Sequence, residues 1–581
     1  MINDKKSSIE PWLRENKFSK IFLWSWHPFF WIVLAISLVY AATLFSDIVY
    51  LDDNVLVTGQ YQFNKNLSNI PQAFKEDIFR TPYHGGTFYR PIERLTFMLD
   101  AQFGEGAVVF MSHFSNILLH ILAMCLLFQF LLKLNLKKEI IFLFVLFFSI
   151  HPLSAQTVAF IAGRNDSLLA ISVFLSLIFL LNFLQTQKNK HFIWHLFFLA
   201  LALLTKETAI ALPVISVIYF LIFVGWKKII ENYKIYLKFG LGWTIIGVFW
   251  FLIRLSVMHN FIGNANYNIF FSIYKNLPSL IPAIGKIFWP VNLSVFPVMN
   301  DMTLFYGAVS LIMLGFWLIL SEKKNLKLII FGFLWFLIFI FPTLIKPIET
   351  VPEFSENRIY LPMLGFIFVI LGLGKIKLPA IIKEKINYEI NGKKIILFFS
   401  LLIMLIYSFI TIYRNQYYKN RLNFWKNAAE TSPSFAFNHN NLGAMYYLDG
   451  NMDRAEKEFK KALELNPKEK MAHNNLGLVY INANKLSEAE EEYKKELEIN
   501  PNYDNTYFNL GLLYWRQKIY AKAEDNWKKT LVVNPNYIEA LNVLTIYYYD
   551  QKNYKEMNVY ASELSKRGYR LPAEILELLP Q

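Results

Sequence analysis

Two adjacent carboxylates, Asp52 and Asp53, directly follow the first long apolar stretch of the chain. A carboxylate at a membrane surface can take a proton from a hydroxyl group and so act as a general base. An Asp pair after a helix is also a common solvated turn, and in that alternative it has no catalytic role. We identify Asp52 or Asp53 as the candidate catalytic residue, and the sequence leaves the choice between them open.

Ten further polar residues lie at the boundaries of later apolar stretches. Arg and Lys side chains bind phosphate oxygens and stabilise the charge on a departing phosphate. Ionisable groups at the ends of membrane spans are costly unless they are paired or hydrated, which makes them candidates for a functional site. The candidates for binding a donor phosphate or substrate are Tyr89, Arg90, Arg94, His151, Arg164, Asp166, Lys206, Glu207, Glu356 and Arg358. This set predicts group transfer from a lipid-linked phosphate donor.

Each of these candidates also has a purely structural interpretation. Arg164 and Asp166 can cap a span and pair with each other, and Lys206 with Glu207 can form a structural ion pair. In the same way, Arg90 and Arg94 can be interfacial anchors. Three more polar residues on an apolar helix are best interpreted as packed polar groups rather than ligands: His113, Asn116 and His120.

Metal and cysteine chemistry have little support in the sequence. His151 together with Asp52 or Asp53 offers ligand types for a divalent cation, but transfer from a phosphate donor does not require one. We expect no metal and no cofactor beyond the donor itself. Cys125 is the only cysteine, which excludes an intrachain disulfide and a cysteine-based metal site.

The composition is that of a chain that is partly a membrane protein. Of its 581 residues 55% are hydrophobic and only 18% are charged, whereas soluble proteins carry about 25% charged residues. The net charge is +14, but from residue 421 onward 21 Lys and Arg face 22 Asp and Glu. The basic excess therefore lies in the apolar part, which argues against a nucleic-acid-binding domain.

Eleven apolar stretches approach the length of about 20 residues that crosses a bilayer. They are residues 27–45, 109–132, 139–152, 166–186, 192–205, 207–225, 237–257, 304–320, 327–345, 359–374 and 395–413. A further apolar stretch, 269–296, is interrupted by three prolines and predicts a re-entrant or interfacial segment. The first stretch is aromatic and lacks a small-residue cleavage site, so we do not interpret it as a signal peptide.

The distribution of lysines predicts the orientation of the spans. Lys and Arg are concentrated at the N-terminus and in every second inter-span segment: 133–138, 188–190, 227–238, 323–327 and 375–394. Basic segments stay on the cytoplasmic side. The N-terminus is therefore expected in the cytoplasm, and eleven crossings place the Asp pair and the C-terminal part outside.

The C-terminal part is an internal repeat of 34 residues. Pro433, Pro467, Pro501 and Pro535 are spaced by 34, as are three Asn-Leu-Gly triplets that begin at 441, 475 and 509. Small, aromatic and proline positions in each unit match the tetratricopeptide repeat (TPR), a helical hairpin. Glu496 and Thr530 replace the last small residue in the second and third units, and a degenerate fourth unit around Leu544 is expected to cap the array.

These observations predict an all-α chain with two parts. We expect a cytoplasmic segment at 1–26, a multi-pass membrane domain at 27–413 with an outer loop at 46–108, a connecting half-repeat helix at 414–432, and TPR repeats at 433–581.

The chain resembles the transmembrane-and-TPR O-mannosyltransferases, which are polyprenol-dependent glycosyltransferases of the GT-C class. The segments that carry the resemblance are the Asp pair, YRPIERLTF at 89–97, SHFSNILLH at 112–120, HPLSAQTVAFIAGRNDSLLA at 151–170, TKE at 205–207 and ENRIYLPMLGF at 356–366. The resemblance implies a GT-C bundle and an inverting transfer of mannose from polyprenyl phosphate to a Ser or Thr hydroxyl. It also implies Asp52 or Asp53 as the catalytic carboxylate and Arg90, Arg164, Lys206 and Arg358 as phosphate contacts.

Two features depart from that family. Gln156 occupies a position where the family commonly has Glu, and the repeat array is short. The Lys-, Ile- and Asn-rich composition favours a bacterial plasma membrane over an endoplasmic reticulum. The sugar and the acceptor, whether protein or glycan, stay open.

The leading hypothesis is therefore an extracytoplasmic membrane glycosyltransferase whose TPR groove receives the acceptor. One alternative is a membrane-anchored TPR scaffold without catalysis. Another is a lipid-glycan transporter, although transporters keep their charges near the middle of the membrane.

Overall fold

The computed structural model describes residues 19–80, 88–257, 269–345, 356–374 and 388–579. Helices dominate throughout these ranges, so the expected all-α class is confirmed. The chain divides into two compact units at Ser432 and Pro433. Outside the described residues lie 1–18 of the N-terminal segment, 81–87 of the outer loop, 258–268 and 346–355 between predicted spans, 375–387 of the basic segment and 580–581 of the repeat range.

Each of the eleven predicted spans coincides with a helix. We label them α1 His27–Tyr40, α2 Val108–Lys133, α3 Lys138–Ser149, α4 Arg164–Thr186, α5 Asn189–Thr205, α6 Ala211–Tyr219, α7 Tyr233–Val257, α8 Phe305–Leu320, α9 Leu326–Leu344, α10 Met363–Gly372 and α11 Tyr388–Asn415. Their sequences are predominantly apolar, as in helices that lie within a bilayer. Within a helix every backbone polar group finds a partner, so the apolar surroundings leave none unsatisfied.

Among the described residues, seven helical segments are long and apolar enough to cross a membrane, so the chain is a multi-pass membrane protein. They correspond to α1, α2, α4, α6, α7, α9 and α11, and the segments of α1 and α6 reach this length together with adjoining 3-10 or π turns. The other four helices stay below this length. They are α3 with 12 residues, α5 with 17, α8 with 16 and α10 with 10. At 1.5 Å per residue, α5 and α8 reach about 25 Å, a little less than the hydrocarbon core of about 30 Å. The count of eleven crossings therefore stays a prediction.

The ends of the helices fall into two groups. At one end of the bundle, four hydrogen bonds join neighbouring termini: Lys138 Nζ to Leu23 O (2.7 Å), Lys238 Nζ to Asn189 Oδ1 (2.8 Å), Asn325 N to Gly372 O (2.8 Å) and Trp317 Nε1 to Gly374 O (3.2 Å). They bring together starts of odd-numbered helices and ends of even-numbered ones. We call this the basic end, because the lysine-rich segments lie there.

The opposite end of the bundle, which we call the polar end, joins the other set of termini. Asn415 Nδ2 donates to Val39 O (3.0 Å) and Thr411 Oγ1 to Ile150 O (2.7 Å). These contacts connect the last turns of α11 and α1 and the end of α3. Helices that cross a membrane one after another have their starts and ends alternately at its two faces, and the helix termini here alternate in this way.

Helices α9 and α10 approach each other through two glycines. A Cβ atom on Gly332 would overlap the carbonyl oxygen of Gly365, and a Cβ on Gly365 would overlap that of Gly332. Nearby, Trp335 Nε1 donates to Leu361 O (2.9 Å). Small residues allow close packing of membrane helices, where dispersion replaces the hydrophobic driving force.

The segment between α7 and α8 contains two short helices, Ile269–Asn276 and Leu280–Phe288. Ser272 Oγ and Asn276 Nδ2 both donate to the carbonyl of Leu344, at 3.2 and 3.1 Å. They thereby satisfy the last carbonyl of α9 at the polar end. Beyond Phe288 the chain runs irregularly to Leu304.

A helix at Arg421–Thr431, which we label α12, precedes the second unit. That unit consists of the helix pairs Ala436–Leu448 with Met452–Leu465, Ala472–Asn482 with Leu486–Ile499, Asp504–Arg516 with Tyr520–Val533, and Ile538–Asp550 with Tyr554–Lys566, followed by Ala573–Leu576. In three pairs, a glycine of the first helix faces an aromatic ring of the second: Gly443 and Phe459, Gly477 and Tyr493, Gly511 and Trp527. This arrangement confirms the TPR repeats.

Glu496 has a specific role in place of the expected small residue. Its buried carboxylate accepts hydrogen bonds from Met471 N (2.9 Å) and Asn474 N (3.3 Å). These amides lie at the start of the helix Ala472–Asn482, where unsatisfied N–H groups and the helix dipole favour a negative charge.

The contact between α9 and α10 yields a stability prediction. We expect Gly365→Ala to lower the free energy of unfolding by about 1–3 kcal/mol, because the methyl group has no space. Gly315→Ala in α8 is the matched control, since a Cβ there meets open space. It should be neutral or stabilise by up to about 1 kcal/mol. Thermal unfolding of the detergent-solubilised chain measures both, and equal melting temperatures would contradict the packing.

Candidate active site

Arg164, the first residue of α4, is fully buried at the polar end. Its guanidinium donates to Asp100 Oδ2 (2.7 Å), Asn116 Oδ1 (2.9 Å), Thr96 Oγ1 (3.1 Å) and Ser112 O (2.9 Å). The Asp100 carboxylate also accepts hydrogen bonds from Ser112 Oγ (3.0 Å) and Ser115 Oγ (2.6 Å). Arg164 thus binds the start of α4 to α2 and to the helix Pro91–Asp100. The predicted alternative, a pair with Asp166, does not form.

Asp166 instead pairs with Lys206, which lies just beyond the end of α5. Lys206 Nζ is 2.5 Å from Asp166 Oδ1, and Asn357 Nδ2 donates to Asp166 Oδ2 at 2.8 Å. Burial lowers the pKa of the Lys206 ammonium, and the Asp166 carboxylate opposes that shift. The pair and the amide connect three parts of the chain that are distant in sequence.

A second chain of charges continues from Arg90. Arg90 Nη2 is 3.3 Å from Glu207 Oε2, and Arg254 Nη2 is 4.0 Å from Glu207 Oε1. Arg90 Nη1 also lies 3.7 Å from Glu93 Oε2. Burial raises the pKa of the Glu93 carboxyl to about 7, although Arg90 acts in the opposite direction. Burial alone would lower the pKa of Arg90, but Glu207 and Glu93 hold it above its usual value.

These two groups line a cavity of about 490 Å³ at the polar end. Its charged lining residues are Arg90, Asp166, Lys206, Glu207, Arg254 and Arg358. Among the described lining residues, four cations face two carboxylates, a surplus of two positive charges that the Glu93 carboxyl, 3.7 Å from Arg90, reduces when it is ionised. A partly enclosed cavity with such a surplus favours an anion that carries one or two charges, such as a phosphate diester or monoester.

A second, apolar cavity of about 720 Å³ lies beside α5, α6 and α7. On each of three segments, a residue that lines it is three positions from one that lines the charged cavity. The pairs are Leu203 with Lys206, Ile210 with Glu207 and Phe251 with Arg254. Residues three apart on a helix are neighbours on one face, which applies to Phe251 and Arg254 within α7. The apolar cavity therefore begins about one helical turn from Arg254, whereas Lys206 lies in extended backbone just after α5.

The structure distinguishes the two candidate catalytic aspartates. Asp53 is only 1% exposed, and its carboxylate accepts from Val49 N (2.7 Å), Leu51 N (3.3 Å) and Asn54 N (3.0 Å). Burial raises the pKa of Asp53 to about 6, and the three N–H donors limit the rise. Asp52 is half-buried. Among the described residues, neither aspartate lines the 490 Å³ cavity.

Glu356 occupies a separate, fully buried position at the same end. Its carboxylate contacts Lys286 Nζ, lies 2.5 Å from Arg414 Nη2 and accepts from Ser294 N (3.1 Å). Burial would raise the pKa of Glu356, but Lys286 and Arg414 hold it below its usual value. Arg414 also donates to Pro152 O (2.7 Å). Glu356, which precedes α10, is therefore linked to α11 through Arg414. Arg414 in turn links α11 to the segment before α4.

Three predicted phosphate contacts have protein partners outside the charged cavity. His151 Nε2 donates to Ile287 O (3.0 Å), and its Nδ1 accepts from Leu153 N (3.2 Å). The Tyr89 hydroxyl donates to Phe74 O (3.1 Å). Arg94 donates to the carbonyls of Asp77 and Ile78. Their role in binding substrate stays a prediction.

Gln156 uses both ends of its amide. Its Oε1 accepts from Asn357 N (3.0 Å), and its Nε2 donates to Val295 O (3.2 Å). A glutamate at this position could make the first hydrogen bond but not the second. The departure from the resembled family therefore has a local physical reason.

Sequence reasoning missed Arg254, Lys286 and Arg414 as parts of this end. Arg254 and Arg414 are charged residues in the last turns of long apolar helices, and that isolation was the available signal. Among the described residues, no group of three His, Cys, Asp or Glu side chains is arranged to hold a metal ion.

Comparison with known proteins identifies both parts of the chain. Residues 101–251 match the family model for dolichyl-phosphate-mannose-protein mannosyltransferase. Residues 436–469, 458–491 and 479–518 match tetratricopeptide-repeat models. The predicted combination of a mannosyltransferase domain with C-terminal TPR repeats is thus confirmed. The matched range contains Arg164, Asp166, Lys206 and Glu207, but ends before Arg254 and Arg358.

Two of the solved structures that match the chain each cover about a quarter of it. MamA is 22% identical, covering 26% of this chain and 90% of MamA at a TM-score of 0.23. PilF of Pseudomonas aeruginosa is 24% identical, covering 26% of this chain and 70% of PilF at a TM-score of 0.24. Because both TM-scores are low, neither similarity supports a conclusion about the function of this chain. A comparison with curated proteins gave no match.

The Arg164 network yields a prediction for stability. We expect Arg164→Met to lower the free energy of unfolding by about 3–5 kcal/mol, because Asp100 is then buried without a counter-charge. The double variant Arg164→Met/Asp100→Asn should recover part of the loss. Lys426→Met is the control, since its pair with Glu430 is exposed (3.9 Å). Thermal unfolding in detergent checks this, and equal losses in both single variants would refute it.

Gln156 yields a second prediction. Gln156→Glu should lower stability by about 1–3 kcal/mol at neutral pH, because Val295 O loses its donor and faces a carboxylate oxygen. At mildly acidic pH the carboxyl becomes protonated and regains a donor, so the deficit should shrink. Melting temperatures of wild type and variant across this pH range provide the measurement. A deficit that is constant with pH would contradict the assignment.

Proposed function

We propose that this chain transfers mannose, or a related hexose, from a polyprenyl-phosphate donor to a hydroxyl acceptor on the extracytoplasmic face. The observation that carries this proposal is the 490 Å³ cavity with its surplus of two positive charges, one helical turn from the apolar cavity. The parts of a polyprenyl-phosphate sugar match these two cavities: its long apolar chain matches the apolar cavity, and its anionic phosphate with the polar sugar matches the charged one.

In this proposal, the donor phosphate binds among four cations: Arg90, Lys206, Arg254 and Arg358. The isoprenoid chain lies in the apolar cavity beside α5, α6 and α7. A phosphate diester carries one negative charge, and the polyprenyl phosphate that leaves carries up to two. Negative charge therefore grows on the phosphate as its bond to the sugar breaks, and the cations stabilise the transition state more strongly than the donor, which is the requirement for catalysis. Because Glu207 and Asp166 hold the cations in position, little reorganisation is needed.

Asp52 is proposed as the general base and Asp53 as a positioning residue. The positioning role of Asp53 is supported by the hydrogen bonds that its carboxylate accepts from three backbone N–H groups. These hydrogen bonds fix the turn that follows α1. Trp425 Nε1 donates to Val49 O (3.1 Å) and anchors the same turn to α12. Half-buried Asp52 takes the acceptor proton, and the acceptor oxygen attacks the anomeric carbon opposite the phosphate. The bond to the phosphate oxygen breaks, with inversion.

The orientation is proposed from the two groups of helix ends. The lysine-rich segments at the basic end favour the cytoplasm, and the polar end then faces outward. The alternation of helix termini between the two ends of the bundle supports eleven crossings, because the short helices α3 and α10 follow it as well. With an odd number of crossings, the TPR unit lies outside and presents a protein or glycan acceptor.

Replacement of Asp52 tests the proposal. We expect Asp52→Asn to reduce transfer by about 10²- to 10⁴-fold, the usual contribution of a general base. Asp53→Asn should lower both stability and transfer, because it removes an acceptor that holds the turn. The assay follows labelled sugar from synthetic polyprenyl-phosphate mannose into protein or glycan of an envelope extract.

A scaffold without catalysis makes the opposite prediction. If wild type and Asp52→Asn give the same background with every polyprenyl-phosphate sugar, while the extract is shown to contain acceptor by a known transferase, the proposal is wrong. If Asp52→Asn retains full transfer, the enzyme class stands and the base is another residue.

A further inference from the structure

A third cavity, of about 280 Å³, lies at the polar end between the irregular segment 289–304, the start of α8 and the end of α12. Its wall is held by side-chain hydrogen bonds between the irregular segment and α12. Thr431 Oγ1 donates to Ser294 Oγ (2.6 Å), and Asn427 Oδ1 accepts from Val295 N (3.1 Å). The cavity is therefore largely pre-formed, as ligand sites usually are.

The charges around this cavity differ from those of the donor cavity. Lys286 is the cation among its described lining residues, and Glu356 neutralises it. Asp301 and Glu430 also line the cavity, and Glu430 lies 3.9 Å from Lys426. The described lining therefore lacks the surplus of positive charge that the donor cavity has. A phosphate group is disfavoured there, and a neutral polar ligand is favoured.

The remaining lining combines aromatic rings with hydrogen-bonding groups. Trp289 and Tyr306 contribute rings, and Asn292, Thr303 and Asp301 contribute an amide, a hydroxyl and a carboxylate. A pyranose matches this combination, because its C–H face packs on an aromatic ring while its hydroxyls donate and accept. The volume of about 280 Å³ suits one sugar ring and is too small for a folded segment.

The cavity is adjacent to the donor cavity through the short turn Glu356–Ile359. Glu356 contacts Lys286 of the third cavity, and two residues later Arg358 lines the donor cavity. We propose that the third cavity binds a single neutral saccharide unit, as a site separate from the one for the donor. This inference goes beyond the proposed function and does not require that transfer occurs.

Saturation-transfer NMR on the full chain in nanodiscs tests the proposal. The probes are methyl α-mannopyranoside, methyl α-glucopyranoside and methyl α-galactopyranoside, with N-acetylserine amide as a peptide-like competitor. We expect saturation of at least one pyranoside. Asn292→Gly should weaken its binding about three- to tenfold, the effect of one or two lost hydrogen bonds. Glycine keeps the left-handed backbone at Asn292, whose φ is +52°, without strain.

Two matched variants make the outcome specific. Asn300→Gly removes an exposed amide from the same segment outside the cavity and should bind as wild type. Trp289→Leu, which removes the ring but stays apolar, should weaken binding. The proposal is overturned if no pyranoside is saturated, if only the serine amide binds, or if Asn292→Gly and Trp289→Leu bind as wild type. Asp52→Asn should bind normally, so failure of transfer and failure of this site are distinguishable.

Discussion

Charges buried at the polar end must be paired, and this requirement determines how the membrane helices meet. Moving an ion out of water costs several kcal/mol, and only a close partner with further hydrogen bonds offsets that cost. Here the partners come from distant parts of the chain: Arg164 with Asp100, Lys206 with Asp166, and Arg414 with Glu356. Since each pair joins two different segments, a shift of α4, α5 or α11 along its axis would leave a charge uncompensated. Apolar packing alone allows helices to slide, whereas these pairs fix their register.

The same pairs separate structural cations from those that can act on a ligand. Arg164 and Arg414 direct their donors into protein acceptors, and both are almost completely buried. Arg90, Lys206, Arg254 and Arg358 instead border the 490 Å³ cavity. Glu207 lies between Arg90 and Arg254 and keeps two guanidinium groups close together, which would otherwise repel each other. A site built in this way is organised before its ligand arrives, and that is the condition under which electrostatic stabilisation is most effective.

The sequence predicted the helices and repeats well, because hydrophobic length and the 34-residue period are local properties. It also identified most of the charged residues that gather at the polar end. It could not predict their partners, since pairing depends on how helices pack. Arg164 and Asp166 illustrate this: two positions apart on a helix, they point in different directions and find separate partners. Glu356 was expected beside Arg358 at the substrate, yet the turn directs it to Lys286 and Arg414 instead. Arg254 escaped notice because a single arginine at the end of an apolar helix also suits an interfacial anchor.

The apolar cavity beside α5, α6 and α7 is open along the outer surface of the bundle. Several of its lining residues, including Ile210, Val214 and Val248, are about half exposed. In the proposed function, an isoprenoid chain enters there sideways from the lipid and never passes through water. The relevant substrate concentration is then a surface density within the bilayer. Reaction rates in detergent would follow the mole fraction of donor in the micelles, so that added detergent dilutes the substrate even at constant total amount. The enzyme would thus respond to membrane composition in a way that a water-facing cavity does not permit.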